Sequence, residues 1–295
     1  MGSSDWYVIV NPTAGRGTDL LARTERALAK HSVAASVVSS AGAPDVARLV
    51  DAAVAAGRTR FVAVGGDGTV NLVANALLAH EWAEPPTLGI LPAGTGCDFV
   101  RVFGIPQDVE HAARHLAGDE TYRSDAAVLD GEWGRRHFMN IAQAGIGAAS
   151  ATTADKLARL GGLRYQTAFW VNLPGFPRTE VTVRVGKRSY QGDAISVIFA
   201  NGQFFGNGMN VAPKATLVSG QIDAQVITAR KRQAPLLMRK AARGLHLGHK
   251  EVHRLRGPDF EIETKDPWPV EADGEYLGRT PVRGHVLPGA IDIKI

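Results

Sequence analysis

The run Phe61-Val-Ala-Val-Gly-Gly-Asp-Gly-Thr69 carries a valine-rich stretch straight into three glycines, an aspartate and a threonine, and a helix-like pattern follows. A strand that ends in glycines and opens a helix suits a phosphate group. Glycines let the backbone approach closely, and the free N–H groups of the helix start face negative charge. A carboxylate cannot favour bare phosphate, so Asp67 among Gly65, Gly66, Gly68 and Thr69 implies a metal ion or a proton to be taken. The spacing is neither that of a P-loop nor that of the dinucleotide fingerprint. A tight strand-to-helix turn, with Asp67 as a cap, is the alternative. Leu88-Gly-Ile-Leu-Pro-Ala-Gly-Thr-Gly-Cys-Asp-Phe-Val-Arg101 repeats the plan with Gly94, Thr95, Gly96, Asp98 and Arg101. In doubly wound sheets, loops at the carboxyl ends of neighbouring strands converge on one ligand. Two such loops, each with an Asp near a Thr, suggest a triphosphate cradle with metal-binding carboxylates. A third loop, Asn11-Pro-Thr-Ala-Gly-Arg-Gly17, follows a strand-like Trp6-Tyr-Val-Ile-Val10.

These loops need a scaffold, and the chain supplies a periodic one. Up to about residue 117, strand-like runs at 6–10, 34–38, 60–64 and 88–91 alternate with helical patterns at 18–30, 44–56, 70–80 and 108–117. That alternation predicts an α/β domain with a parallel sheet covered on both faces. From about residue 124, short runs such as Val181–Val185, Ala194–Ala200, Ile222–Ile227 and Phe260–Glu263 predict a mostly antiparallel β domain. Only Ala151–Asn172 and Ala234–Leu247 look helical there. A chain of 295 residues is long enough for two domains. The one cysteine, Cys97, excludes a disulfide framework and fits a reducing cytosol. No apolar run approaches the roughly 18 residues that span a bilayer, no signal peptide is visible, and Trp6 stands where myristoylation needs Ser or Thr. A cytoplasmic protein is expected.

Charge is distributed unevenly. Net charge is +4, yet Arg230–Arg256 holds nine Lys or Arg against the single acid Glu251, interleaved with Leu236, Leu237, Met238, Leu245 and Leu247. Such a segment can lie on an anionic membrane, as a peripheral contact with its inner face. It can equally be a solvated basic face packed by its leucines onto the β domain. No nucleic-acid motif accompanies the charge, so nucleic acid is not an expected partner.

The ordered set of motifs resembles the diacylglycerol kinase catalytic family, which includes bacterial diacylglycerol kinases and is related to sphingosine and ceramide kinases. The residues that carry the resemblance are Asn11-Pro12 with Gly15, Gly65–Thr69 with Asn71 and Asn75, and Leu91-Pro92 with Gly94–Gly96 and Asp98-Phe99. Asp125, Phe138-Met-Asn140 with Gly145, Asn201-Gly202 with Gly206, Gly208-Met209, Ala212-Pro213 and Asp273-Gly-Glu275 continue it over nearly the whole chain. The first glycine motif alone is shared with NAD kinases.

The resemblance implies domains at 1–123 and 124–289 with an interdomain cleft, and a last strand, 290–295, returning to the first domain. It implies ATP over the glycine loops, held by Asn11, Ser40, Asn71, Thr69, Thr95 and the glycines. It implies Mg2+ at Asp67, with Asp98 and Asp125 in the same carboxylate network, although either could be a cap or turn residue. It implies a lipid substrate entering an apolar cleft of the second domain, and it leaves a homodimer open. Lipid hydroxyls need a proton acceptor. The residues alone do not rank Glu271, Asp273 and Glu275, which could also form an exposed acidic hairpin; the family pattern favours Glu275.

Two departures stand out. Cys97 replaces the usual Asn, exchanging an amide for a weak hydrogen-bonder. Ser219 stands where many bacterial members place an Asp that, with nearby carbonyls, holds a structural magnesium. Here Thr216 and Gln221 would supply only backbone carbonyls, so that ion is not expected. An ATP-dependent lipid kinase is the expected function. A soluble NAD kinase-like phosphotransferase and a catalytically weak lipid-binding regulator are the other readings.

Overall fold

The computed structural model describes residues 5–15, 19–94 and 97–295, apart from the side chains at 155, 158 and 162. The chain divides into two compact units, Met1–Ser124 with Gly289–Ile295, and Asp125–Pro288.

The first unit is the α/β unit expected. It runs β1 (Trp6–Val10), α1 (Leu20–Lys30), β2 (Ala35–Ser39), α2 (Ala43–Ala55), β3 (Arg60–Gly65), α3 (Asp67–Leu78) and β4 (Thr87–Pro92). These four strands lie in the order β2-β1-β3-β4, all parallel. Val8, Ile9, Val62, Val64, Leu88 and Leu91 are fully buried, as strands covered on both faces require. Helix starts are set locally: the Asp19 side chain accepts the Ala22 N–H ahead of α1, and Pro44 sits in the first turn of α2. The helix expected at 108–117 is shorter than its pattern. One α turn, α4 (Val109–Ala112), runs into a tighter 3-10 turn, Ala113–Ala117.

The strand β5 (Thr121–Gly131) leads into the second unit, which opens with β6 (Gly134–Phe138), β7 (Ile141–Gly145), α5 (Ile146–Lys156) and α6 (Arg164–Asn172). Next come β8 (Thr179–Val185), β9 (Arg188–Ala194), β10 (Ser196–Ala200), β11 (Phe204–Phe205), β12 (Met209–Asn210), β13 (Ile222–Ile227) and α7 (Ala234–Ala241). The chain closes with β14 (Val252–Gly257), β15 (Asp259–Thr264), β16 (Pro269–Ala272), β17 (Glu275–Arg279) and β18 (Val282–Lys294). One antiparallel sheet has the order β14-β13-β10-β7-β16-β17; β18, β15, β8 and β9 form a second antiparallel run.

Strand β8 reads Thr-Glu-Val-Thr-Val-Arg-Val, and its burial alternates with that period, sending Val181, Val183 and Val185 into the core with Phe138, Phe199 and Phe260. Phe260 packs against Phe199 with ring centroids 4.7 Å apart. The helical stretch expected over 151–172 is broken, because Gly161 takes φ +55 between α5 and α6. The segment expected to stay helical to Leu247 stops at Ala241, shortly before Gly244 at φ +70. The closing strand is longer than expected. It pairs with β15 at its start, turns at Gly289 (φ +58), and pairs in parallel with β4 through Asp292 and Ile293. Among the described residues no helix is long and apolar enough to cross a membrane.

Candidate active site

In the first unit the strand ends bring three loops together. A side chain on Gly65 is excluded, since its Cβ would lie 2.3 Å from Thr69 Oγ1; one on Gly94 would lie 2.7 Å from the Cα of Gly66. The two glycine loops therefore touch backbone to backbone, and the Ala93 N–H donates to Gly65 O at 2.8 Å. Asn11 Nδ2 donates to Thr69 Oγ1 at 3.1 Å, tying the third loop to the start of α3. The cap position of α3 is Gly66, and no side chain caps that helix end. A cavity of about 160 Å³ beside these loops is lined by Gly15, Ala93, Gly94, Gln107 and Arg23. Arg23 is itself held by Glu110 at 2.8 and 2.9 Å.

Asp67 does not act as a cap for α3. Its two oxygens accept the N–H groups of Asp98 at 3.0 Å and Phe99 at 3.3 Å, so the carboxylate spans from the first glycine loop to the second. Asp98 is buried, and Arg101 donates to it at 3.3 Å. Asp67 and Asp98 are of the donor type Mg2+ takes, since the ion commonly binds one or two carboxylates and completes its shell with substrate phosphate oxygens and water. Among the described residues no group of three His, Cys, Asp or Glu comes together as a ready-made metal site. Ser40 is buried, with its Oγ donating to Val10 O at 3.3 Å. Asn71 is buried on α3, where its side-chain oxygen accepts from Asn75 at 3.2 Å. Thr95 and Gly96, expected at the phosphates, lie outside the described residues. The Cys97 thiol is fully buried and donates to Gly65 O at 3.6 Å. Burial, with the charge of Asp67, pushes its pKa up to about 12, so it stays protonated and serves as a weak brace between the loops.

In the second unit, Asp125 is buried and its Oδ2 accepts the Gly220 N–H at 2.7 Å. In the same loop Ser219 Oγ lies 3.3 Å from Thr216 O and 3.1 Å from Gln221 O, donating its one proton across the turn. A hydroxyl brings no charge and is already engaged with the carbonyls a magnesium would need. This donor set is a poor fit for that ion. Without nucleotide, whose phosphates complete the shell of the ion at Asp67 and Asp98, thermal stability should accordingly be the same in Mg2+ and in EDTA. Ser219→Asp should acquire an Mg2+-dependent rise in melting temperature, checked by thermal denaturation in both buffers.

The three acids of the hairpin between β16 and β17 separate cleanly. The Asp273 carboxylate accepts the N–H groups of Met139 (2.8 Å), Asn140 (3.0 Å) and Ile141 (2.9 Å). Glu271 is fully buried, not at an exposed tip. Glu275 is part-exposed and paired with Arg136.

A feature with no motif behind it completes the unit. An apolar cavity of about 130 Å³ is walled by α5, α6, α7 and β10, with Ile146, Phe169, Ile198, Leu237 and Met238 among its lining and Gln143, Ser150, Ser196 and His246 as polar points. His246 is buried, which lowers its pKa and keeps it neutral; its Nε2 meets Gln225 Oε1 at 2.8 Å. Tyr165 lines the cavity, and its hydroxyl lies 3.5 Å from where a Cβ on Gly274 would sit. One wall of the cavity thus reaches the acidic hairpin.

Two family models divide the chain. One is the diacylglycerol kinase catalytic domain, over residues 5–129, and the other the YegS C-terminal NAD kinase beta sandwich-like domain, over residues 140–295. A Serratia proteamaculans protein named "Probable lipid kinase YegS-like" is 32% identical over 253 residues, covering 85% of this chain and 81% of its own. A Yersinia enterocolitica protein of the same name is 30% identical, covering 85% and 83%. The crystal structure of a diacylglycerol kinase from Bacillus anthracis matches with a TM-score of 0.74 at 20% identity, over 98% of this chain and 96% of that one. Another structure from that organism reaches a TM-score of 0.81 at 24% identity with the same coverage. The chain belongs to the diacylglycerol kinase catalytic family, in its YegS-like branch, and is a lipid kinase.

Proposed function

We propose that this lipid kinase transfers the γ-phosphoryl group of ATP to a hydroxyl of diacylglycerol or a related lipid alcohol. The observation that carries this reading is the apolar cavity with one wall at the acidic hairpin: in this reading the cavity takes a lipid chain and its hydroxyl is presented toward Glu275. ATP phosphates take the loops at Asn11, Gly65–Thr69 and Gly94–Gly96, with Ser40 and Asn71 supporting the strand end and helix behind them. Phosphoryl transfer needs positioning and charge neutralisation more than covalent help. Mg2+, held by Asp67 and Asp98, supplies that positive charge when bound. Asp125 acts one step back, by fixing the 216–221 loop. Glu275, its direction set by Arg136, accepts the hydroxyl proton.

The cavity assignment has its own test. Ala241 lines the cavity from α7 and is not fully buried, so Ala241→Trp can fill the space with little disturbance of the core. The KM for a long-chain acceptor should rise at least about tenfold, the scale on which a hydrophobic pocket discriminates. Turnover of a short-chain, water-soluble acceptor should not change. An unchanged long-chain KM would remove the cavity from substrate binding.

Peripheral membrane contact belongs to the same proposal. The helices that wall the cavity expose Trp170 and Val171 on α6 and Leu236 on α7, and Leu163 and Leu245 are exposed close by. Of the basic segment, Arg254 is unavailable, since it is bound to buried Asp223; Leu237 is buried, so part of the leucine pattern serves packing. Vesicle binding should rise with anionic lipid content and fall with salt. Replacing Arg239, Lys240 and Arg243 with Gln should weaken binding by roughly 3 kcal/mol at most, at about 1 kcal/mol per charge. Equal binding of this variant and the wild type in a sedimentation assay would reduce the segment to a solvated face.

A further inference from the structure

The hairpin between β16 and β17 turns through Asp273 at φ +48 and Gly274 at φ +88, a left-handed pair that a two-residue turn demands. Two carboxylates hold it from opposite sides. Asp273 is tied to the backbone of residues 139–141, and the Gly274 N–H donates to Glu271 Oε2 at 2.7 Å. Glu271 lies on β16 between β7 and β17, opposite Gln143 on one side and Tyr276 on the other, and it is fully buried. Neither Glu271 Oε1 nor Gln143 Nε2 completes a hydrogen bond of good geometry, so the carboxyl meets an amide without being fully satisfied by it.

We propose that Glu271 is the positioning residue of this turn, its buried carboxyl fixing the Gly274 peptide and through it the direction in which Glu275 leaves the hairpin. The proposal rests on reading Glu275 as the proton acceptor. Its physical basis is that a buried, hydrogen-bonded acid left neutral can hold a peptide group rigidly without a charge to hydrate. Burial pushes the Glu271 pKa up to about 8, with the negative charge of Asp273 adding to the shift and Gln143 and the Gly274 N–H opposing it. Among the described residues of the neighbouring elements, Glu275 is paired with Arg136, Tyr276 is about half exposed on β17, Lys156 of α5 is exposed, and the Tyr165 hydroxyl of α6 lies near Gly274.

The sign of the pH effect follows. Between the ordinary carboxyl value and about 8 the folded protein keeps a proton that the unfolded chain releases, so stability falls as pH rises across that interval and levels off above it. Above about pH 8 the buried charge must be hydrated, the turn loosens and turnover drops.

The test compares wild type, Glu271→Gln and Glu271→Ala from pH 5 to 10, by melting temperature and by turnover on a lipid extract with ATP. An amide oxygen can still accept the Gly274 N–H, so Glu271→Gln should keep neutral-pH turnover within a few-fold. It should lose both the decline in melting temperature below pH 8 and the fall in turnover above it. Glu271→Ala should lose at least tenfold in turnover with the KM for ATP unchanged. Identical pH dependence in wild type and Glu271→Gln would overturn the proposal, as would wild-type turnover in a folded Glu271→Ala protein. Should the alanine variant not fold, the glutamine comparison still decides. Wild-type turnover in Glu275→Gln would instead remove the proton-acceptor reading, and the melting curves would then judge the Glu271 carboxyl by itself.

Discussion

Asp67→Asn is expected to cut turnover on the lipid acceptor by on the order of 10³-fold, the loss seen when one preorganised electrostatic contact is removed from a transition state. The carboxylate has two duties. It accepts the N–H groups of Asp98 and Phe99, and it stands at the centre of the glycine loop that opens α3. An asparagine oxygen can accept one of those bonds, but its NH2 group faces an N–H where the second oxygen stood. The loops should therefore lose about 1–2 kcal/mol of local support. That loss is far too small to explain the drop in rate, which needs about 4 kcal/mol at the transition state. Melting curves and steady-state kinetics on the same preparation separate the two effects. Near wild-type turnover would take Asp67 out of the mechanism.

The largest structural effect is expected at Asp273. Its carboxylate accepts three consecutive backbone N–H groups, from Met139, Asn140 and Ile141, across 132 to 134 residues of sequence. Asp273→Ala leaves all three without that partner, and unsatisfied buried donors cost about 1–3 kcal/mol each. Allowing for partial hydration, the expected destabilisation is about 3–6 kcal/mol, or roughly 5–10 °C in melting temperature for a protein of this size. Because the turn also carries Glu275, activity should fall with the fold. A shift of only a degree or two would mean that water replaces the carboxylate and that the hairpin is held by Glu271 alone.

The glycine loops were legible because their chemistry is local: Gly65 and Thr69 sit four residues apart, and their clash distance forbids any side chain at the first. The α/β alternation was legible for the same reason, since period and length suffice to tell buried parallel strands from helices. Contacts made at long range were not. Asp67 could be read as a cap from its neighbours, and its actual partners are 31 and 32 residues away. Glu271 resembled an exposed hairpin acid, but β16 is an interior strand paired along both edges with β7 and β17, and α5 packs against it. Arg254 counted as a surface charge until its pairing with Asp223 on the neighbouring strand β13 was visible. The apolar cavity left no motif at all. Its walls come from segments spread over residues 143–246, and each contributes apolar residues that look like ordinary core.

The most direct measurement incubates the pure protein with γ-labelled ATP, Mg2+ and a total lipid extract, then separates organic from aqueous phases and identifies what carries the label. The account predicts label in an organic-phase product whose hydroxyl has become a phosphomonoester, with none formed by Asp67→Asn. Label confined to the aqueous phase, on a soluble nucleotide or as free phosphate, would contradict it.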